Sequence, residues 1–154
     1  RSGAALDVAT IQRLVLDKNI VGIKEASGSA DIISDLKSVL PSSFQLYCGD
    51  DALTLPCLEN GAKGVVSVAS HCIGIQLQEM VSFFHQNDFI EAEKIHKKYQ
   101  SLFSVLFITS NPVPVKAALR LMSIDVGSVR LPLVDVTEEE KEQIKDVLKR
   151  LELI

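Results

Sequence analysis

Asn19-Ile20-Val21-Gly22-Ile23-Lys24-Glu25-Ala26-Ser27-Gly28 is an apolar run that ends in a lysine and passes into a glycine-containing turn. A short run of this kind, bounded by turn residues, reads as a buried strand. A lysine projecting from it carries a charge toward an apolar interior, which costs several kcal/mol unless the amine is paired or loses its proton. Desolvation favours the neutral amine, and only the neutral amine can attack a carbonyl carbon to form a Schiff base. The alternative is a lysine at a strand end whose amine snorkels to water. Spacing alone leaves both readings open.

Around this strand the sequence alternates between helical and extended patterns. Asp7 caps a helix to about Leu16, with Val8, Ile11, Leu14 and Val15 on one apolar face. Ser29 opens a second helix in which Ile32, Ile33, Leu36 and Leu40 recur at helical spacing until Pro41. Phe44 to Cys48 reads as a strand, Ala52 to Glu59 as a helix, and Gly64 to Val68 as a third strand. A helix from about Ser70 to His85 follows. Strands joined through helices by short connections imply a parallel sheet with right-handed crossovers. Continuously apolar strands imply burial on both faces. The fold class is α/β.

From Asp88 onward the pattern is helical only. Asp88-x-x-Glu91 and Thr137-x-x-Glu140 have the form of capping arrangements. Asn111-Pro112-Val113-Pro114 marks a break, followed by a helix from Val115 to Met122. The last helix, Thr137 to Leu151, turns Ile144, Val147, Leu148 and Leu151 to one side, and its acidic start and basic end suit the helix dipole. Residues 1–87 therefore read as a partial β/α barrel and residues 88–154 as a C-terminal helical region. A closed barrel takes eight strands and typically about 250 residues. About three strands in 154 residues are only part of one.

Composition narrows the function classes. The net charge of -4 argues against nucleic acid as a partner. No apolar run approaches the roughly 18 residues that span a bilayer, and no stretch reads as a signal peptide. Cys48, Cys57 and Cys72 are odd in number and lack CxxC spacing, so they read as buried thiols of a reducing, cytoplasmic compartment. His71, His85 and His96 are scattered; His85 and His96 read as solvated, and none suits a metal site by spacing.

Four stretches in order, Asn19 to Gly28, Gly49-Asp50-Asp51, Gly64-Val-Val-Ser-Val-Ala-Ser70 and Asn111-Pro-Val-Pro-Val-Lys116, closely resemble the C-terminal half of the dihydrodipicolinate synthase family. The opening Arg1-Ser2-Gly3 resembles the tail of a further motif of that family. The resemblance implies the C-terminal part of an eight-stranded β/α (TIM) barrel followed by helices, assembled in the whole protein as a homotetramer, a dimer of dimers. It implies a lyase of lysine and diaminopimelate biosynthesis that condenses pyruvate with aspartate 4-semialdehyde. The cofactor is none, because a covalent imine between Lys24 and pyruvate supplies the electron sink.

Residue by residue, the resemblance makes Lys24 the Schiff-base lysine and Val66 the residue whose backbone carbonyl lies beside it. Gly49, at the end of the preceding strand, lets backbone approach the substrate. Arg1 matches the arginine that binds a carboxylate of the aldehyde, a task suited to a guanidinium. Asp50 and Asp51 look like acids, yet both substrates are anionic, and helix capping is the favoured reading for both. The family's Thr-Thr pair and relay tyrosines are absent from these residues, and Tyr47 and Tyr99 match neither. The resemblance thus implies a fragment with little or no activity by itself. Sister aldolases, such as N-acetylneuraminate lyase and keto-deoxy-sugar aldolases, share the lysine chemistry and form one alternative. An inactive chain that only docks to a partner is another.

Overall fold

A computed structural model describes residues 6–154. Contacts along the backbone divide the chain into two compact units, one ending at Val66 and the other running from Ser67 to Ile154.

The first unit begins with α1, Val8–Leu14, capped by Asp7, whose carboxylate accepts the Thr10 N–H at 2.7 Å. Three parallel strands follow in the order β1-β2-β3: β1 Gly22–Glu25, β2 Gln45–Cys48 and β3 Gly64–Val65. Helix α2, Asp31–Val39, links the first two strands. A single 3-10 turn, Asp51–Leu53, leads into α3, Thr54–Glu59, which links β2 to β3. The strands are shorter than the sequence pattern predicts. Ordered pairing covers only the rungs between Gly22 and Glu25 on the first strand and between Gly64 and Val65 on the third.

Helices cover one face of this sheet. Leu46, Cys48, Ile23 and Val65 point into a core with Ile33 and Leu36 of α2, Cys57 of α3, Ile11 of α1, and Phe44 and Ala62 of the connections. Of the four apolar positions expected on α1, Ile11 is buried and Val15 packs against the core, whereas Val8 and Leu14 stay exposed. The opposite face of the sheet carries Lys24, Tyr47 and Val66, all exposed. A parallel sheet normally has both faces covered, and the sequence implied as much. Among the described residues only one face is.

Tight approach between β1 and β2 depends on Gly22. A Cβ there would stand 2.7 Å from the Gln45 carbonyl oxygen and 3.0 Å from the Gln45 Cβ. The first of these is backbone and cannot move aside without breaking the pairing.

The second unit is helical. It contains α4, Ser70–His85; α5, Phe89–Val105; α6, Val113–Leu121; and α7, Glu138–Arg150. Asp88 accepts the Glu91 N–H at the start of α5, and Thr137 and Glu140 complete both halves of a capping box on α7. Ile73, Leu77, Met80, Leu102, Leu106, Ala118, Ile144 and Leu148 form its buried interior. The extended segment before α7 is held by cations of α6: Lys116 donates to the Ser128 carbonyl at 2.6 Å, and Arg120 to the Gly127 carbonyl at 3.0 Å and to Asp135. Among the described residues no helix is long and apolar enough to cross a membrane.

His96 corrects an expectation. It is not solvated but 93% buried on α5, against Phe103, with Nδ1 lacking a hydrogen-bond partner. The charged residues flanking it hid an inward-facing position. Burial holds its pKa below the ordinary value, opposed by the charge of Glu93.

Two outcomes follow for stability. Leu36→Ala should cost about 2–5 kcal/mol in urea unfolding, because it opens a cavity in the first unit's core. A depressed histidine pKa means the unfolded chain takes up the proton first, so stability present above the ordinary value near 6.5 is lost as pH falls below it. His96→Leu should flatten that loss between pH about 7 and 5, read as unfolding midpoints against pH; an unchanged slope would assign it to other groups.

Candidate active site at the strand ends

The uncovered face of the sheet is built in rungs. Register pairs Lys24 with Tyr47 and Tyr47 with Gly64. Continuing one step, the Gly49 N–H donates to the Glu25 carbonyl at 2.6 Å and the Val66 N–H to the Cys48 carbonyl at 2.8 Å. Side chains alternate between faces along a strand, so Ala26, Gly49 and Val66 form the next rung of the same face. Both rungs lie at the C-terminal ends of the strands, where β/α folds place their chemistry.

Lys24 reaches from the first rung to the second. A Cβ on Gly49 would stand 2.6 Å from Lys24 Cε, 2.6 Å from Ala26 Cβ and 2.9 Å from the Glu25 carbonyl oxygen. The lysine stem therefore lies across bare backbone that no other residue offers. The sequence reading gave Gly49 the role of admitting a close approach. The group that approaches it here is the lysine itself.

The turn after β1 is fastened locally. The Glu25 carboxylate accepts the Ser27 N–H, and Gly28 sits at φ 91°, a conformation that a side chain would strain. Asp50 accepts the Ala52 N–H at 2.9 Å and so caps the turn into α3, as expected of a short acidic side chain there. Asp51 departs from the expectation. It is 98% buried, and its carbonyl accepts the Thr54 hydroxyl at 2.9 Å.

Lys24 also departs from the reading of an amine carried into an apolar interior: it is exposed. The cause is architectural. Its face of the sheet has no cover among the described residues, so the amine meets solvent without any need to snorkel. Val66 is likewise 47% exposed. Arg1 lies outside the described residues.

Directly behind Gly49, on the covered face, Cys48 and Cys57 are buried and hydrogen-bonded to each other, and the Cys48 thiol also donates to the Asp50 carbonyl at 3.1 Å. Burial, reinforced by the bond to Cys48, pushes the Cys57 thiol up to about 12, and burial raises Cys48 too. These are inert core thiols. His71 and His85 are exposed. Among the described residues no group of three or more His, Cys, Asp or Glu side chains is placed to hold a metal ion.

Tyr47 is the neighbour that sequence reasoning passed over. Its register beside Lys24 is not written in either strand. Alternation within Gln45–Cys48 gives its face, but only the pairing gives its partner.

Comparison with known proteins agrees with this geometry. The sequence model of the dihydrodipicolinate synthetase family matches residues 1–151. A 4-hydroxy-tetrahydrodipicolinate synthase of Nostoc sp. is 48% identical over 154 residues, covering 100% of this chain and 52% of that protein. Among solved structures, dihydrodipicolinate synthase from Cyanidioschyzon merolae with lysine bound has a TM-score of 0.95 at 42% identity, covering 100% of this chain and 52% of its own. The chloride-inhibited dihydrodipicolinate synthase from Acinetobacter baumannii, complexed with pyruvate, has a TM-score of 0.93 at 34% identity, covering 100% and 53%. The chain spans about half the length of the curated relatives it matches. Part of a β/α barrel followed by helices is the fold these neighbours support.

Thiol chemistry gives a direct check on the packing behind the strands. Cys48 and Cys57 should resist a disulfide reagent at pH about 8 in the native protein and react once it is denatured. Labelling of either in the folded state would show the covered face to be open.

Proposed function

Because the chain belongs to the dihydrodipicolinate synthetase family, we propose that it is the lysine-bearing part of an enzyme that condenses pyruvate with aspartate 4-semialdehyde, the 4-hydroxy-tetrahydrodipicolinate synthase reaction. The observation that carries this reading is the Lys24 stem laid over Gly49 at the C-terminal ends of parallel strands. The pyruvate complex of the Acinetobacter baumannii relative supports the choice of keto acid. The synthase name carried by relatives near 48% identity favours this aldehyde over those of the sister aldolases.

The chemistry runs through one amine. Neutral Lys24 Nζ adds to the keto carbon of pyruvate, and the adduct takes up a proton and loses water to give an iminium. The iminium draws electrons from the adjacent methyl group, which loses a proton and becomes an enamine carbon. That carbon attacks the aldehyde and forms the new C–C bond. Ring closure by the amino group of the aldehyde substrate then displaces Lys24 by transimination. No cofactor enters this sequence, because the lysine is itself the electron sink once condensed.

Each site residue has a place in it. Gly49 leaves room for the lysine and then for the keto acid. The Val66 carbonyl orients the amine, and Arg1 receives a carboxylate of the aldehyde. Residues 1–87 belong to the barrel in this reading and residues 88–154 to the helical region after it.

The uncovered sheet face bears on where the activity resides. The Lys24 side chain is exposed, and among the described residues nothing encloses the site around it. These residues also contain no Thr-Thr pair. Activity therefore belongs to the whole protein, in which further strands close over Lys24, and these 154 residues alone are a poor catalyst. The whole enzyme is cytoplasmic and a homotetramer in this reading, with exposed apolar side chains such as Ile75 and Phe107 as surface for its contacts.

Full-length protein incubated with pyruvate and borohydride should gain a reduced adduct on the peptide that contains Lys24, and Lys24→Ala should gain none. An adduct on another lysine, or none in the wild type, contradicts the proposal. Gly49→Ala should slow adduct formation by about 100-fold, since a displacement of ~1 Å from the reactive geometry has that effect.

A further inference from the structure

Two side chains share one spot on the bare backbone of Gly49. A Cβ there would stand 2.6 Å from Lys24 Cε and 2.6 Å from Ala26 Cβ. Two atoms so close to one point leave no room for a third carbon between them, so Ala26 walls the trough in which the lysine stem lies. Ala26 in turn sits between two hydrogen bonds that Glu25 makes. The Glu25 carbonyl, just before Ala26, accepts the Gly49 N–H at 2.6 Å. The Glu25 carboxylate accepts the N–H of Ser27, just after it. Gly28, at φ 91°, then takes the chain out of the turn.

We propose that Glu25 is a positioning residue for Lys24: its carboxylate, bound to the Ser27 N–H, holds Ala26 against Gly49 and so keeps the lysine stem in its trough. The inference rests on the Schiff-base reading of Lys24. Lysine has a flexible four-carbon stem, and without a wall on that side the stem would swing off Gly49 and carry the amine with it. Ala26 and Ser27 are both exposed, so no packing holds the turn, and the bonds from Glu25 do. A backbone N–H bonded to an ionised carboxylate is held roughly twice as strongly as one bonded to a neutral acceptor. Glu25 does not act by pairing with the amine. Alternation turns it to the face opposite Lys24, where its charge bears on the Cys57 thiol, and among the described residues neither Lys24 nor Glu25 belongs to an ion pair. A half-buried carboxylate beside a core of thiols and aliphatic side chains gains nothing from that core; what it serves is the turn.

The test uses full-length protein and pyruvate with cyanoborohydride. The amine adds to the keto carbon, the adduct takes up a proton and loses water, and the reagent delivers hydride to the iminium carbon. Rates are taken across pyruvate concentrations, so that the limiting rate separates from half-saturation. Glu25→Met keeps the length of the side chain and removes the acceptor. It should lower the limiting rate at least ~10-fold, by misplacing the nucleophile, and leave half-saturating pyruvate within about threefold. Glu25→Gln keeps an acceptor oxygen at the same reach and should hold the limiting rate within about threefold of wild type. Ala26→Gly removes the wall with the carboxylate in place. It should resemble Glu25→Met, and it decides the matter should Glu25→Met fail to fold. A wild-type limiting rate in Glu25→Met or in Ala26→Gly, or an equal loss in Gln and Met, overturns the proposal. Wild-type protein that forms no adduct overturns the Schiff-base reading and this proposal with it. Wild-type protein that forms one while the variants match it overturns this proposal alone.

Discussion

The Lys24 stem lying on the bare backbone of Gly49 is the contact that the first unit's organisation holds in place. It requires β1 and β2 to be parallel, in one register, and close. Gly22 permits the closeness, because a Cβ there would strike the Gln45 carbonyl. The bond from the Gly49 N–H to the Glu25 carbonyl fixes the height at which the lysine crosses. Behind the contact, Leu46 and Cys48 anchor β2 in an apolar core with α2 and α3. Fully burying side chains of this size is worth roughly 1.5–3 kcal/mol each, far more than the contact itself could supply. The core sets the strands and the strands set the lysine.

One-sided cover gives the sheet its second property. The helix-facing side is packed, while Lys24, Tyr47 and Val66 stand exposed on the other. Exposed apolar and aromatic side chains on a parallel sheet are surface awaiting cover. In the proposed enzyme that cover has two effects at once. It buries Tyr47 and Val66, and it removes water from around an amine whose reaction needs the neutral form. In that proposal stability and reactivity depend on the same cover.

Much of this was legible in the sequence, and the failures share a cause. Local signals were faithful: Asp7, Asp50, Asp88 and Thr137 cap the turns and helices they were expected to cap. The spacing of Ile33 and Leu36 marked the buried side of α2. The parallel pairing of the strands was legible from their alternation with helices, and the misses lie where a side chain's surroundings come from elsewhere in the chain. The charged stretch around His96 hid an inward position that only packing reveals. Asp51 was grouped with Asp50 as a cap, although its burial depends on the fold around it. The apolar strand implied a buried Lys24, but among the described residues its face of the sheet has no cover. The place of Tyr47 beside Lys24 is not legible, because register between parallel strands is a property of two segments and not of one.

The chemical claim rests on where a keto acid meets this lysine. A crystal structure of the full-length protein soaked with pyruvate is its most direct measurement. Continuous density from Lys24 Nζ to the keto carbon, above Gly49 and within an enclosed cavity, is the predicted result. Pyruvate bound elsewhere, with the Lys24 amine unmodified and open to solvent in the complete protein, would contradict it.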